Sequence, residues 1–150
     1  AVKIAEAGSQ AVILSTDKVF LQLLSDKIFV RDHFKQSYLD HAYVDQRFGV
    51  KPEKFVDFLA LTGDSTNSIR GVPGIGPKTA AKLIEDFGSL DEILAAAAST
   101  KSDDRAPVLS MKMRDKFVDY SEDARQAQSL VRLQTDLTLG LNLKALRYKL

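Results

Sequence analysis

Cysteine is absent from the 150 residues, so disulfides and thiolate metal sites are excluded. That absence says nothing of compartment, for which a reducing cytoplasm is the default. An excess of either charge is also missing: 21 basic residues face 20 acidic ones, a net charge of +1. Any affinity for nucleic acid must therefore come from a local patch rather than from bulk charge. No apolar run reaches the length of about 18 residues that a membrane span needs, and no signal-peptide pattern opens the chain. Histidine occurs only at His33 and His41. Neither has a metal-ligand partner at i+4, and both read as surface or satisfied residues. The chain begins without Met, on Ala-Val-Lys-Ile-Ala, which reads as the middle of a helix and suggests a piece of a longer protein. What remains is ordinary for a soluble globular protein, with 45% hydrophobic and 27% charged residues in a length that suits one domain or two small lobes.

The stretch that stands out is Ser68 to Leu83, Ser-Ile-Arg-Gly-Val-Pro-Gly-Ile-Gly-Pro-Lys-Thr-Ala-Ala-Lys-Leu. It reads as an apolar turn, a hairpin carrying Gly74 and Gly76, and a helix beginning near Pro77. Proline suits the first helical position because the N–H it lacks would be unpaired there anyway. The free N–H groups of that first turn, together with the helix dipole, form a place for an anion such as phosphate. Lys78, Thr79 and Lys82 stand beside it. From Ser65 to Ile84 there are three basic residues (Arg70, Lys78, Lys82) and no acidic ones. Gly-x-Gly alone is only a tight turn. With small Ala80 and Ala81 at the helix contact, and Leu83 and Ile84 for the core, the pattern is that of a helix-hairpin-helix gripping a DNA backbone.

Along the chain, Ala1 to Ala7 looks like a helix stopped by Gly8. Ala11 to Leu14 is a short apolar run typical of a buried strand. Asp17 follows it, and Val19 to Leu24 has apolar residues at helical spacing. A carboxylate at the C-terminal end of a strand lies where open α/β sheets place their ligands, yet Asp17 equally suits the cap of the next helix. Lys27 to Phe34 alternates loosely as a second strand. A short helix over Asp40 to Phe48 ends at Gly49. Another opens at Pro52, with Phe55, Phe58 and Leu59 on one face, and ends at Thr62-Gly63. Asp64-Ser65-Thr66-Asn67 is a loop of polar oxygens. Asp64 offers a hard ligand for a divalent cation, although capping a following helix is its simpler reading. The hairpin's second helix runs to about Phe87 and is closed by Gly88. Ser89-Leu90-Asp91-Glu92 is a capping box for a helix to about Ala97. Ser99 to Ala106 reads as a mobile loop. Leu109, Met113, Phe117, Tyr120, Ala124 and Ala127 form a core stripe of one amphipathic helix, or two in sequence, to about Leu133. The tail from Gln134 reads as extended along the body.

Taken together, these pieces resemble the 5′-nuclease superfamily, the 5′→3′ exonucleases and flap endonucleases, with the look of its small exonuclease IX-like members. Ser15-Thr16-Asp17-Lys18 with Gln22-Leu23-Leu24, Phe58 to Ser65, and Gly71 to Ala80 carry the match. The ending, Leu133 to Leu137 with Asn142-Leu143 and Leu146-Arg147, is also similar. The joint occurrence of these blocks is far more specific than any one of them.

The resemblance implies an α/β protein, a remnant of a mainly parallel sheet over residues 1–50 followed by a mostly helical region over 51–150, with the helix-hairpin-helix at about 64–87. It implies Asp17 and Asp64 as ligands of Mg²⁺ or Mn²⁺. Two positions depart from the family pattern: Val19 and Asn67 stand where a second Asp is common. An amide oxygen is a poorer Mg²⁺ ligand than a carboxylate, so Asn67 would hold the metal weakly and the second metal site looks depleted. The resemblance also implies a potassium ion at the hairpin, held by the carbonyls of Val72 and Ile75 with a lesser part for Asn67. Arg70, Gly74, Gly76, Lys78, Thr79 and Lys82 would hold DNA. The implied activity is metal-dependent hydrolysis of DNA by a cytoplasmic monomer, at flaps, branches or 5′ ends and without regard to sequence. The 150 residues alone are expected to bind DNA weakly and not to cleave it. The rival reading is a non-catalytic DNA-binding module, and a third is a hairpin used only for protein contacts.

Overall fold

The structure is a computed structural model, and it describes residues 1–99, 109–138 and 140. Helix α1 (Val2–Glu6) leads to a small sheet of β1 (Ala11–Leu14), β2 (Ile28–Asp32) and β3 (Ser37–Leu39). β1 and β2 are parallel, with Ala11 opposite Ile28 and Leu14 opposite Arg31. The connection is a 3₁₀ segment, Lys18–Leu23, which buries Val19 and Leu21. Helical spacing was the right reading of this stretch, in the tighter 3₁₀ form.

The second strand forms as expected, but the chain then doubles back in a hairpin absent from the sequence reading. β3 pairs antiparallel with β2, from Val30 opposite Leu39 to Asp32 opposite Ser37. Asp32 builds the turn: its Oδ1 accepts the N–H groups of Phe34 and Lys35, each at 3.0 Å. The α/β class stands, and the sheet carries one parallel and one antiparallel ladder. β1 is less buried than its apolar run suggested. Ala11 is covered, while Val12 and Leu14 are 49% and 63% exposed. β1 pairs only with β2, and no second layer of described residues lies over these two side chains.

The remaining elements among the described residues are helices. α2 (His41–Phe48) is capped by Asp40, whose Oδ1 accepts the Tyr43 N–H at 2.8 Å, and ends at Gly49 in the left-handed region. A 3₁₀ turn at Pro52–Lys54 runs into α3 (Phe55–Thr62). Then come α4 (Pro77–Phe87) and α5 (Leu90–Ala98), the latter capped by Ser89. The long core stripe resolves into α6 (Met111–Asp119) and α7 (Ser121–Val131). Among the described residues no helix is long and apolar enough to cross a membrane. His33 and His41 are exposed. The loop expected at 99–106 lies, from residue 100, outside the described residues, as do Asn142, Leu143, Leu146 and Arg147.

The core gathers around α3. Phe48, Phe55 and Phe58 form an aromatic group with ring centroids 5.0, 5.6 and 5.7 Å apart. α7 turns Ala124, Ala127 and Val131 inward, and the two small residues let it lie close. Its Gln128 donates to Asp57 of α3 at 2.6 Å. Phe55 is fully buried, so Phe55→Ala is expected to lower stability by about 3–5 kcal/mol. Phe34→Ala, at a site 85% exposed, should stay within about 0.5 kcal/mol of the parent in the same urea titration.

Candidate metal centre and nucleic-acid interface

Asp17 follows the C-terminal end of β1. Its N–H donates to Ser15 Oγ at 3.1 Å, and its own Oδ1 accepts the Val19 N–H at 2.9 Å. The carboxylate therefore caps the 3₁₀ segment with one oxygen and leaves the other, Oδ2, turned outward. Asp64 begins a loop closed by a reciprocal pair: Asp64 and Ile69 exchange both backbone hydrogen bonds at 2.9 Å. No helix starts there. Instead Oδ1 of Asp64 accepts the Thr66 N–H at 3.0 Å, which stiffens the turn. Ser68 takes a left-handed φ of +57°, and the chain can then return to Ile69.

The two carboxylates, from Asp17 and Asp64, meet on one amide, that of Asn67. Asn67 Nδ2 donates to Asp64 Oδ2 at 2.7 Å and reaches Asp17 Oδ2 at 3.4 Å. Both acids thus spend Oδ1 on local backbone and direct Oδ2 to a shared point, so capping and ligation need not exclude each other. Asn67 was expected as a weak ligand through its oxygen. Here it presents its nitrogen to the two acids, as a neutral donor between like charges. Val19 is buried and contributes only its backbone N–H. Among the described residues no group of three or more His, Cys, Asp or Glu side chains gathers. The paired oxygens are hard donors and fit a divalent cation such as Mg²⁺, as two protein ligands among waters rather than as a full cage.

The hairpin is fixed to the same loop. A Cβ on Gly63 would lie 2.7 Å from Gly71 N and from Ile69 O, so no side chain fits where these strands cross. Val72 N–H donates to Leu61 O at 2.9 Å, holding the hairpin against the end of α3. Ile75 N–H closes the turn on Val72 O at 3.1 Å, with Gly74 at φ +76° between them. Gly76 starts α4 with no side-chain cap, Pro77 holds the first helical position, and nothing lies within 4 Å of a Cβ built at Gly76. The N–H groups of the first turn of α4 thus have no side-chain cap, and the space beside Gly76 is open. Lys78 is exposed and Thr79 half-buried.

Of the other expected DNA-binding cations, Lys82 is paired with acids and Arg70, among the described residues, is not. Lys82 Nζ lies 3.0 Å from Asp86 and 3.3 Å from Glu85, two carboxylates just beyond the acid-free window. Hydrogen bonding to Asp86, then to Glu85, raises its pKa, so Lys82 keeps its charge in an exposed pair within α4. Arg70 is exposed and lines an open groove of about 630 Å³ with Tyr120, Asp123 and Gln126.

Sequence reasoning assigned no role to one residue that fixes the site. Gln22 Nε2 donates to Val19 O at 2.8 Å and to Val131 O at 2.9 Å, and its Oε1 accepts the Leu133 N–H at 3.0 Å. It joins the segment after Asp17 to the end of α7. The available signals were a polar residue inside the apolar run Val19 to Leu24 and its place in the Gln22-Leu23-Leu24 block.

The family profile described as "5′-3′ exonuclease, C-terminal SAM fold" matches residues 50–150. Flap endonuclease Xni of Aeromonas salmonicida is 48% identical over 145 residues, which cover 97% of this chain and 52% of that protein. Flap endonuclease Xni of Photobacterium profundum is 41% identical over 148 residues, covering 99% and 54%. The chain spans about half the length of the curated relatives it matches. Among solved structures, the bacteriophage T5 5′-exonuclease with bound zinc superimposes with a TM-score of 0.70 at 24% identity, over 85% of this chain and 45% of that one. The T5 flap endonuclease in a pseudo-enzyme–product complex with DNA and metal ions gives 0.71 at 23%, over 85% and 44%. At these identities the two structures share the fold.

Asn67→Asp replaces the neutral bridge by a third carboxylate. It should tighten Mg²⁺ binding about tenfold by titration calorimetry, and lower the thermal midpoint in EDTA while making it rise with added Mg²⁺. An unchanged Mg²⁺ affinity would show that the pair is not where the cation binds.

Proposed function

The chain belongs to the 5′-3′ exonuclease family, and we propose that its residues serve a structure-dependent 5′ nuclease that hydrolyses DNA phosphodiesters with a divalent metal, at flaps, branches or free 5′ ends. The observation that carries this reading is the meeting of Asp17 Oδ2 and Asp64 Oδ2 at Asn67, beside a hairpin that leads into a helix with no side-chain cap. The printed names of the relatives point the same way.

In this reading Asp17 and Asp64 hold Mg²⁺ or Mn²⁺, and Asn67 steadies them rather than joining them as a strong ligand. When bound, such a cation polarises the phosphodiester and lowers the pKa of coordinated water. The protein's own part is binding and placement. The N–H groups after Gly76 donate to a backbone phosphate, Lys78 adds a positive charge, and Gly76 leaves room for close approach. Arg70 and Thr79 extend the contact. The Val72 and Ile75 carbonyls are suited to a potassium ion that bridges hairpin and phosphate. Contacts of this kind go to phosphate and sugar, so recognition follows the form of the DNA rather than its sequence. Residues 1–50 carry one metal ligand and residues 51–150 the other together with the DNA grip.

A non-catalytic DNA-binding module is the second reading, favoured by Val19 and by the lack of a third acid near the pair among the described residues. One experiment separates the two. In the full-length protein with Mg²⁺ and a 5′-flap duplex, Asp17→Ala and Asp64→Ala should each reduce cleavage about a hundredfold or more. Flap binding should meanwhile stay within about threefold of the parent, a difference of about 0.7 kcal/mol. Cleavage untouched by either substitution would leave the hairpin a docking module.

A further inference from the structure

The Gln22 amide is engaged at both ends. Nε2 gives one hydrogen to Val19 O at 2.8 Å and the other to Val131 O at 2.9 Å, and Oε1 takes the Leu133 N–H at 3.0 Å. These partners fix which end of the amide is which. Turned over, it would set its oxygen against two carbonyls and its nitrogen against an N–H. Val131 is the last residue of α7, so its carbonyl has no acceptor role left within the helix. Val131 is buried, and Gln22 supplies the donor its carbonyl needs.

The other end of this contact leads to the acid pair. Val19 N–H donates to Asp17 Oδ1 at 2.9 Å, while Val19 O receives Gln22. Both backbone groups of Val19 are thus engaged, and its side chain is buried. With Oδ1 pinned to Val19, the place of Asp17 Oδ2 follows the place of Val19. Oδ2 lies 3.4 Å from Asn67 Nδ2, already a long hydrogen bond. A small shift of Val19 therefore parts Asp17 from Asp64.

We propose that Gln22 is a positioning residue of the metal centre: by tying Val19 to the end of α7 it keeps Asp17 Oδ2 where it can share a cation with Asp64, on the reading of these two acids as metal ligands. None of its three hydrogen bonds goes to an acid. Its part is to remove a freedom that the pair otherwise has, because two like charges without a cation between them push apart. A ligand held in place before the cation arrives binds it at a smaller cost in ordering.

The test is titration calorimetry of Mg²⁺ into the full-length protein, with the thermal midpoint in EDTA and in Mg²⁺ followed beside it. Gln22→Met, of similar length but without the amide, should weaken Mg²⁺ binding about tenfold and reduce the rise of the midpoint with Mg²⁺. Gln22→Asn keeps an amide one methylene short, and its loss should lie between that and the parent. Ile93→Val, fully buried on α5, should lower the midpoint in EDTA and keep the parent's Mg²⁺ affinity. Binding of a 5′-flap duplex in EDTA should stay within about twofold of the parent for both Gln22 variants, because contacts to phosphate dominate that affinity. A lower midpoint with parent-like Mg²⁺ affinity for the Gln22 variants would make the amide a brace of α7 alone and overturn the proposal. So would an equal loss of affinity with Ile93→Val, which would trace the effect to stability. If Asp17→Ala itself keeps the parent's Mg²⁺ affinity, the metal reading of the acid pair fails, and Gln22 has nothing to position.

Discussion

Backbone lies directly on backbone where Gly63 and Gly71 cross, and most of the site depends on that contact. On one side of the crossing the chain makes the Asp64–Ile69 loop, which offers a carboxylate to Asn67. On the other it makes the hairpin from Val72 to Gly76. Neither glycine can carry a side chain without driving it into main-chain atoms, which have nowhere to go. The crossing therefore sets the distance between the acid pair and the hairpin turn. The proposed function needs that distance fixed, because small misplacements of reacting groups are costly.

α7 is the second fixed point. Gln128 holds it to α3, whose end carries Asp64, and Gln22 holds its C-terminal end to the segment that follows Asp17. The two acids belong to different parts of the chain, and the helix that braces both is remote from either in sequence. Side-chain amides suit this work: each offers donors and an acceptor without adding charge near a site that already holds two negative groups.

Much of this was legible in the sequence where local chemistry decides the backbone. Pro77 opening α4, Gly88 closing it, Ser89 capping α5 and Asp40 capping α2 are all short-range signals, and each element formed within a residue or two of its reading. The hairpin to β3 was not legible. Ser37–Leu39 is short and mostly exposed, and its pairing rests on the Asp32 turn rather than on an apolar pattern. The site divided along the same line. Asp17 and Asp64 were named from motif position, and they do come together. The orientation of Asn67 and the pairing of Lys82 with acids one turn on depend on side-chain geometry that residue spacing does not encode.

β1 carries a consequence of a different kind. Its Val12 and Leu14 are exposed, and it pairs with a single neighbour among the described strands. An apolar strand edge is a template for pairing with another chain, and nothing in Ala11–Leu14 (no lysine, proline or bulge) discourages it. These residues expressed by themselves would be prone to self-association through that edge. Their solution behaviour at high concentration would then reflect strand addition between copies.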